Sequence, residues 1–302
     1  MGQFVKGLSY KFLDALGELA GKEGWWRDVL ADKQLIIGIR NEKLDVYWHG
    51  QSIFNVGFGR DGVKVSTHIK YLLEPALTER VSMRDDATFA VNPKTIPILS
   101  RYEGAGTLEK LKKAADAFSG QEKKGVHAVV LANENVIEVE IRLDAKDLDT
   151  QRDGPRIDIA ALQQRPEGIE IVFWEAKLFA NKELRASSPS EPKVVKQIKE
   201  YRTAIEERRS DIISSYATVA KNLVEIANNS GGARKIGPAI KAVADGAELR
   251  ISSPPHVGVV IFGFDADQKV EGGIGHKHFM KLEEQLGARF LRTRGEADGL
   301  KL

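Results

Sequence analysis

Residues 156–177 constrain the fold more than any other stretch of this 302-residue chain. They read RIDIAAL, a break at QQRPEG, then IEIVFWEAK. Two runs rich in Ile, Val, Phe and Trp around a Pro-x-Gly break predict a β-hairpin. A turn centred between Pro166 and Glu167 sets Asp158 across the ladder from Glu175, where opposed Cβ atoms lie about 4.5–5.5 Å apart. Carboxylates that close repel unless positive charge lies between them, and a divalent cation with oxygen ligands answers that need. Lys177, two residues beyond Glu175, projects from the same strand face. Elsewhere both faces of the hairpin are apolar. Ile157, Ile159 and Trp174 share one side, and Leu162, Ile171 and Phe173 the other. Such strands belong inside a sheet covered by helices.

Around this hairpin the chain divides by texture. Residues 9–31 are predicted helical, with Phe12, Leu13, Leu16 and Leu19 at helical spacing and Trp25 and Trp26 after a Gly break, placed to pack on a sheet. From Leu35 come short β-rich runs separated by turns, an antiparallel meander of three or four strands. His49 and His68 sit there in apolar surroundings, as core or rim residues. This gives a small α+β domain over 1–100, with an irregular connection over 74–106. A second domain then fills 101–302. Its predicted elements are an amphipathic helix over 107–118, a helical turn ending near Leu131, and a half-buried strand over 136–143. The Asp153-Gly154-Pro155 loop leads into the hairpin, and a polar loop with Ser187, Ser188 and Pro189 follows it. A helix from Pro192 runs toward Ile226 with a bend at Ser214-Ser215, and a shorter one covers 235–245. A valine-rich buried strand at 256–264, a helix near 279–286 and an edge strand in RFLRTR complete the chain.

The hairpin's pieces resemble a known motif. An Asp in one strand followed by Glu-x-Lys in the next, here Asp158 and Glu175-Ala176-Lys177, is similar to the active site of the PD-(D/E)xK nuclease superfamily. Gln197-Ile198-Lys199-Glu200-Tyr201 resembles the QxxxY motif of its RecB-like branch. Ile157, not Pro, precedes Asp158. Other acid-x-Lys triplets begin at Glu122, Asp144, Glu191 and Asp267, but only Glu175 ends an apolar strand with an Asp facing it and a Gln/Tyr helix next. The resemblance covers roughly residues 120–265 and implies an α/β (α+β) restriction-endonuclease-like αβββαβ core, a central mixed sheet flanked by helices. It implies a Mg²⁺- or Mn²⁺-dependent deoxyribonuclease in defence, restriction or repair. Asp158, Glu175 and the Ala176 carbonyl would hold the metal, with Lys177 catalytic and Gln197 and Tyr201 on the substrate. A further acid is open among Glu122, Glu138 and Glu140. The alternative is a non-catalytic nucleic-acid-binding or scaffold subunit with the same fold.

Composition narrows the setting. The formal net charge of +2 excludes a polycation, so nucleic acid must be met by a local patch. Lys182, Arg185, Lys193, Lys196, Lys199 and Arg202 are candidates, diluted by Glu183, Glu191 and Glu200. With no cysteine, thiolate and disulfide chemistry are excluded. No secretory signal pattern and no apolar run of the ~20 residues that span a bilayer is evident, so the expectation is a cytoplasmic protein without membrane contact. A homodimer and a subunit of a larger complex are both open. His276 and His278 read as a surface pair, with no third ligand in sight.

Overall fold

A computed structural model describes residues 4–72, 80–90, 99–143, 156–185 and 190–302. The loop at Asp153–Pro155, the Asp144–Lys146 triplet, the segment at 187–189 and parts of the expected 74–106 connection (74–79 and 91–98) lie outside them. The protein is mixed α and β, with two sheets. Its contacts divide it into two units, one of Lys6–Gly120 and Thr218–Ile236, the other of Met1–Val5, Gln121–Ala217 and Gly237–Leu302.

In the first unit, helices α1 (Tyr10–Ala20) and α2 (Trp25–Ala31) precede strands β1 (Ile36–Ile39), β2 (Lys43–Trp48), β3 (Gln51–Gly59), β4 (Gly62–His68) and β5 (Arg80–Met83). The strands form an antiparallel meander in chain order. β5 is one strand more than the turn signals gave, and it lies inside the expected irregular connection. Helix α1 buries Phe12 and Leu16, one turn apart, and Phe12 stacks on Phe58 at 5.3 Å. Trp25 meets Phe54 at 5.6 Å and Trp26 is buried, as their apolar character required. Helix α3 (Ala105–Asp116) closes this unit, so the boundary falls after Gly120 rather than near residue 100. The cause is side-chain pairing. Lys112 reaches Asp32 and Trp48, and Asp116 accepts from Trp48 Nε1 (2.9 Å) and contacts His49 Nδ1 (2.5 Å). His49 is thus a satisfied rim residue, and His68 Nδ1 accepts the Lys70 N–H.

The second unit opens with α4 (Gln121–Leu131), then β6 (Val136–Arg142), β7 (Arg156–Arg165) and β8 (Gly168–Leu178). Helices α5 (Lys193–Glu207), α6 (Arg209–Asn228) and α7 (Pro238–Ala244) follow, then β9 (Leu249–Arg250), β10 (Val257–Phe262), α8 (Ala266–Lys269), α9 (His276–Leu286) and β11 (Leu291–Thr293). Sheet order is β11-β10-β8-β7-β6, with β9 on β8. Strand β7 is antiparallel to its neighbours, whereas β8, β10 and β11 run parallel. The break between α5 and α6 falls at Arg208, not at Ser214-Ser215. Ser215 lies inside α6, and its hydroxyl donates to the Phe4 carbonyl at 3.0 Å. α6 continues past Thr218 and so contributes to both units. Among the described residues no helix is long and apolar enough to cross a membrane.

Pro166 and Glu167 form the hairpin turn, with Arg165 paired to Gly168. Proline presets φ at the first corner, and Gly168 adopts a φ of +127° that a side chain would resist. Every residue from Ile169 to Lys177 is buried. Each large apolar side chain so buried contributes roughly 1.5–3 kcal/mol. Trp174 lies against Gly258 of β10, where an added Cβ would come within 2.5 Å of the indole and 2.7 Å of the Phe290 carbonyl. Gly258→Ala is expected to cost about 1–3 kcal/mol, measurable by urea denaturation. An unchanged midpoint would contradict that packing.

Beside Trp174, His256 is 5% exposed and packs on the Trp174 and Phe290 rings. Burial, reinforced by Arg165, Arg289 and Arg292 and opposed by Glu170, holds its pKa down at about 4. Below the ordinary value of 6.5 the unfolded chain therefore takes up a proton that the folded chain refuses. The stability that His256 contributes is whole above pH 6.5 and is lost toward pH 4, on the order of 3 kcal/mol in all. His256→Phe should flatten stability against pH in that window. An unchanged slope would mean that other groups set it.

Candidate active site

The hairpin register puts Asp158 opposite Glu175, one step beyond the last ladder pair, Ile159 and Trp174. There the ladder gives way to a side chain. Asp158 Oδ2 accepts the Ala176 N–H at 2.7 Å. Strand β8 continues along β10, with Glu175 beside Val259 and Lys177 beside Ile261. Strand alternation keeps Asp158, Glu175 and Lys177 on one face.

Lys177 Nζ lies 2.8 Å from Glu175 Oε1 and 3.0 Å from Glu183 Oε2. Glu183 sits in a turn whose N-cap, Asn181, accepts the Glu183 N–H. Helix α5 adds Gln197 and Tyr201, one turn apart. Gln197 Nε2 donates to Glu175 Oε1 (3.0 Å) and to the Tyr201 hydroxyl (2.6 Å). The Tyr201 proton goes to the Arg156 carbonyl. A hydroxyl has one proton to give, so Glu175 Oε2 stays without a donor. It and Gln197 Oε1 are buried acceptors with no hydrogen-bond partner among the described residues. Such acceptors are costly unless something positive reaches them.

The electrostatics follow. Burial, then the Glu175 charge, raises Asp158 well above the usual carboxylate range, and Glu140 adds to this. Burial likewise raises Glu175 despite Lys177. Burial alone would lower Lys177, but Glu175 and Glu183 outweigh it and hold the ammonium form firmly. The described protein therefore has two acids that resist ionising together and one fixed cation.

All five predicted side chains converge: Asp158, Glu175 and Lys177 on the sheet, Gln197 and Tyr201 above it. Of the further acids, Glu140 is the one whose charge reaches Asp158. It pairs with Arg156 at 3.4 Å and has a φ of +54°, a conformation rare for a non-glycine residue. Glu138 is buried and accepts the Tyr216 hydroxyl (2.6 Å). Glu122 accepts from the Leu178 N–H and from Asn181. Sequence reasoning passed over Glu183, which lies six residues beyond Lys177, the nearest motif position, and looked like part of a charged surface. Half of the basic cluster is paired with acids, Lys193 with Glu183, Lys199 with Glu191 and Lys196 with Glu200. His276 and His278 lie two apart on helix α9, so they do not share a face.

Among the described residues no group of three or more His, Cys, Asp or Glu is placed to hold a metal. The possible donors are two carboxylates and a backbone carbonyl. Glu175 and Lys177 are 3% and 7% exposed, and Asp158 is half-buried. A cleft of about 920 Å³ bounded by Asn133, Gln163, Arg292 and Lys301 does not include them. A smaller one, about 480 Å³, begins at Phe179, two residues past Lys177. No family model, curated protein or solved structure matches the chain.

Proposed function

We propose that the second unit is a metal-dependent nuclease of the PD-(D/E)xK class that hydrolyses phosphodiester bonds of DNA. The observation that carries this is the convergence of Asp158 and Glu175, an ammonium at Lys177 and an amide at Gln197 on one sheet face. The order α4, β6, β7, β8, α5, β10, with β10 parallel to β8, supports a restriction-endonuclease-like core.

The orphaned Glu175 Oε2 and the repelling acids suit a Mg²⁺ or Mn²⁺ ion held by Asp158, Glu175 and the Ala176 carbonyl. When bound, such an ion activates water and offsets phosphoryl charge. Lys177, held toward its ammonium form by Glu175 and Glu183, offsets negative charge at the phosphate. Gln197 and Tyr201 hold Glu175 in place, and Glu183 holds Lys177. Purified protein with Mg²⁺ or Mn²⁺ should cleave linear, circular or single-stranded DNA, and Lys177→Ala should not. If both are equally inert on all three, the proposal fails.

The burial of Glu175 and Lys177 favours a second reading, a non-catalytic nucleic-acid-binding or scaffold subunit in which the same charges form a structural ion-pair network. Salt-sensitive DNA binding without metal-stimulated cleavage would select it.

A further inference from the structure

At one edge of the second sheet, three arginines gather over buried aromatic rings. Arg202 of α5 and Arg289 lie over Phe290, at 4.7 and 4.4 Å from its centroid. Arg292 of β11 lies 5.2 Å from the Trp174 ring, on the face opposite Asp158 and Glu175. None has a carboxylate partner among the described residues. Arg202 donates to the Val257 carbonyl (3.1 Å), and its buried Nε has no acceptor among the described residues. Arg292 donates to the carbonyls of Arg289 and Leu291. Arg289 is exposed, and its guanidinium makes no hydrogen bond or ion pair among the described residues.

Asp298 lines the same cleft as Arg292, but among the described residues no carboxylate is in an ion pair with any of the three. Glu170, the one acid that acts on His256, is engaged by Arg165 at 2.7 Å. Burial and then repulsion from Arg289 lower the pKa of Arg202. Stacking explains why guanidinium groups cover the rings. It does not explain why like charges crowd together, which costs energy unless an anion returns it. Guanidinium forks match phosphate oxygens in pairs.

We propose that Arg202, Arg289 and Arg292 form a binding site for a phosphate group, carried by nucleic acid or by a free phosphoanion. It is separate from the Asp158–Lys177 cluster and does not depend on hydrolysis there. The test is binding in EDTA. A labelled 5′-phosphorylated DNA oligonucleotide is followed by fluorescence anisotropy, and sodium pyrophosphate by thermal shift against sodium chloride of equal ionic strength. The double variant Arg289→Ala/Arg292→Ala should bind the oligonucleotide about tenfold more weakly. Its slope of log K against log salt should fall by about one phosphate contact. Pyrophosphate stabilisation lost in the variant assigns the site to a free phosphoanion. Weakened oligonucleotide binding alone assigns it to nucleic acid. Arg289→Ala by itself, at an exposed position, serves if the double variant does not fold. Variants that match wild type with both ligands overturn the proposal, whether or not the chain cleaves DNA.

Discussion

Lys177→Ala is expected to abolish metal-stimulated DNA cleavage, by at least about 10²–10³-fold, and to destabilise the metal-free protein by about 3–5 kcal/mol. Both effects come from the same contacts. Lys177 is 7% exposed and faces Glu175 at 2.8 Å and Glu183 at 3.0 Å. Removing it leaves Glu175 buried without its counter-charge, and that side chain already has an unsatisfied oxygen. Part of the cost is escaped when Glu175 takes up a proton, so the loss should shrink in acid. Urea denaturation measures the stability term and a single-turnover assay the chemical one. A full loss of stability in a chain that never cleaved DNA would favour the scaffold reading. A loss below about 1 kcal/mol, the scale of an exposed pair, would contradict the buried geometry itself.

Asp158→Asn is expected to act in opposite directions on stability and activity. Asparagine keeps an acceptor for the Ala176 N–H but removes the charge that repels Glu175. Because burial raises both acids, the folded protein holds a proton that the unfolded chain releases at the ordinary carboxylate pKa. The stability this pair gives is present in acid and is lost as pH rises through its raised folded pKa values. In EDTA, wild type should therefore weaken from about pH 4 upward relative to Asp158→Asn. The variant should be more stable at pH 8 by about 1–3 kcal/mol, the scale of relieving an uncompensated buried group. With Mn²⁺ the order should invert, because only wild type keeps both carboxylates for the ion. A variant no more stable than wild type in EDTA at pH 8 would mean that the acids do not strain the metal-free fold.

Much of this was legible because strands and helices impose fixed periods. The Pro166-Glu167-Gly168 turn set the register, the register set Asp158 opposite Glu175, and alternation put Lys177 on the same face. The four-residue spacing brought Gln197 and Tyr201 to one side of α5. What was missed lacked a local signal. Glu183 reaches Lys177 through a turn after β8, where no period fixes side-chain direction. The break at Arg208 has neither Gly nor Pro to mark it. The four-residue strand β5 and the two-residue strand β9 are too short to show alternation. The domain boundary moved because Lys112 and Asp116 bind α3 to partners 67–80 residues earlier in the chain.

The most direct test of a cation site between Asp158 and Glu175 is an anomalous difference map from a crystal soaked in Mn²⁺. The expected result is a peak within bonding distance, about 2.1 Å, of a carboxylate oxygen from each, with the Lys177 ammonium close by. A map without a peak there, and with Lys177 still seated on Glu175 at saturating Mn²⁺, would contradict it.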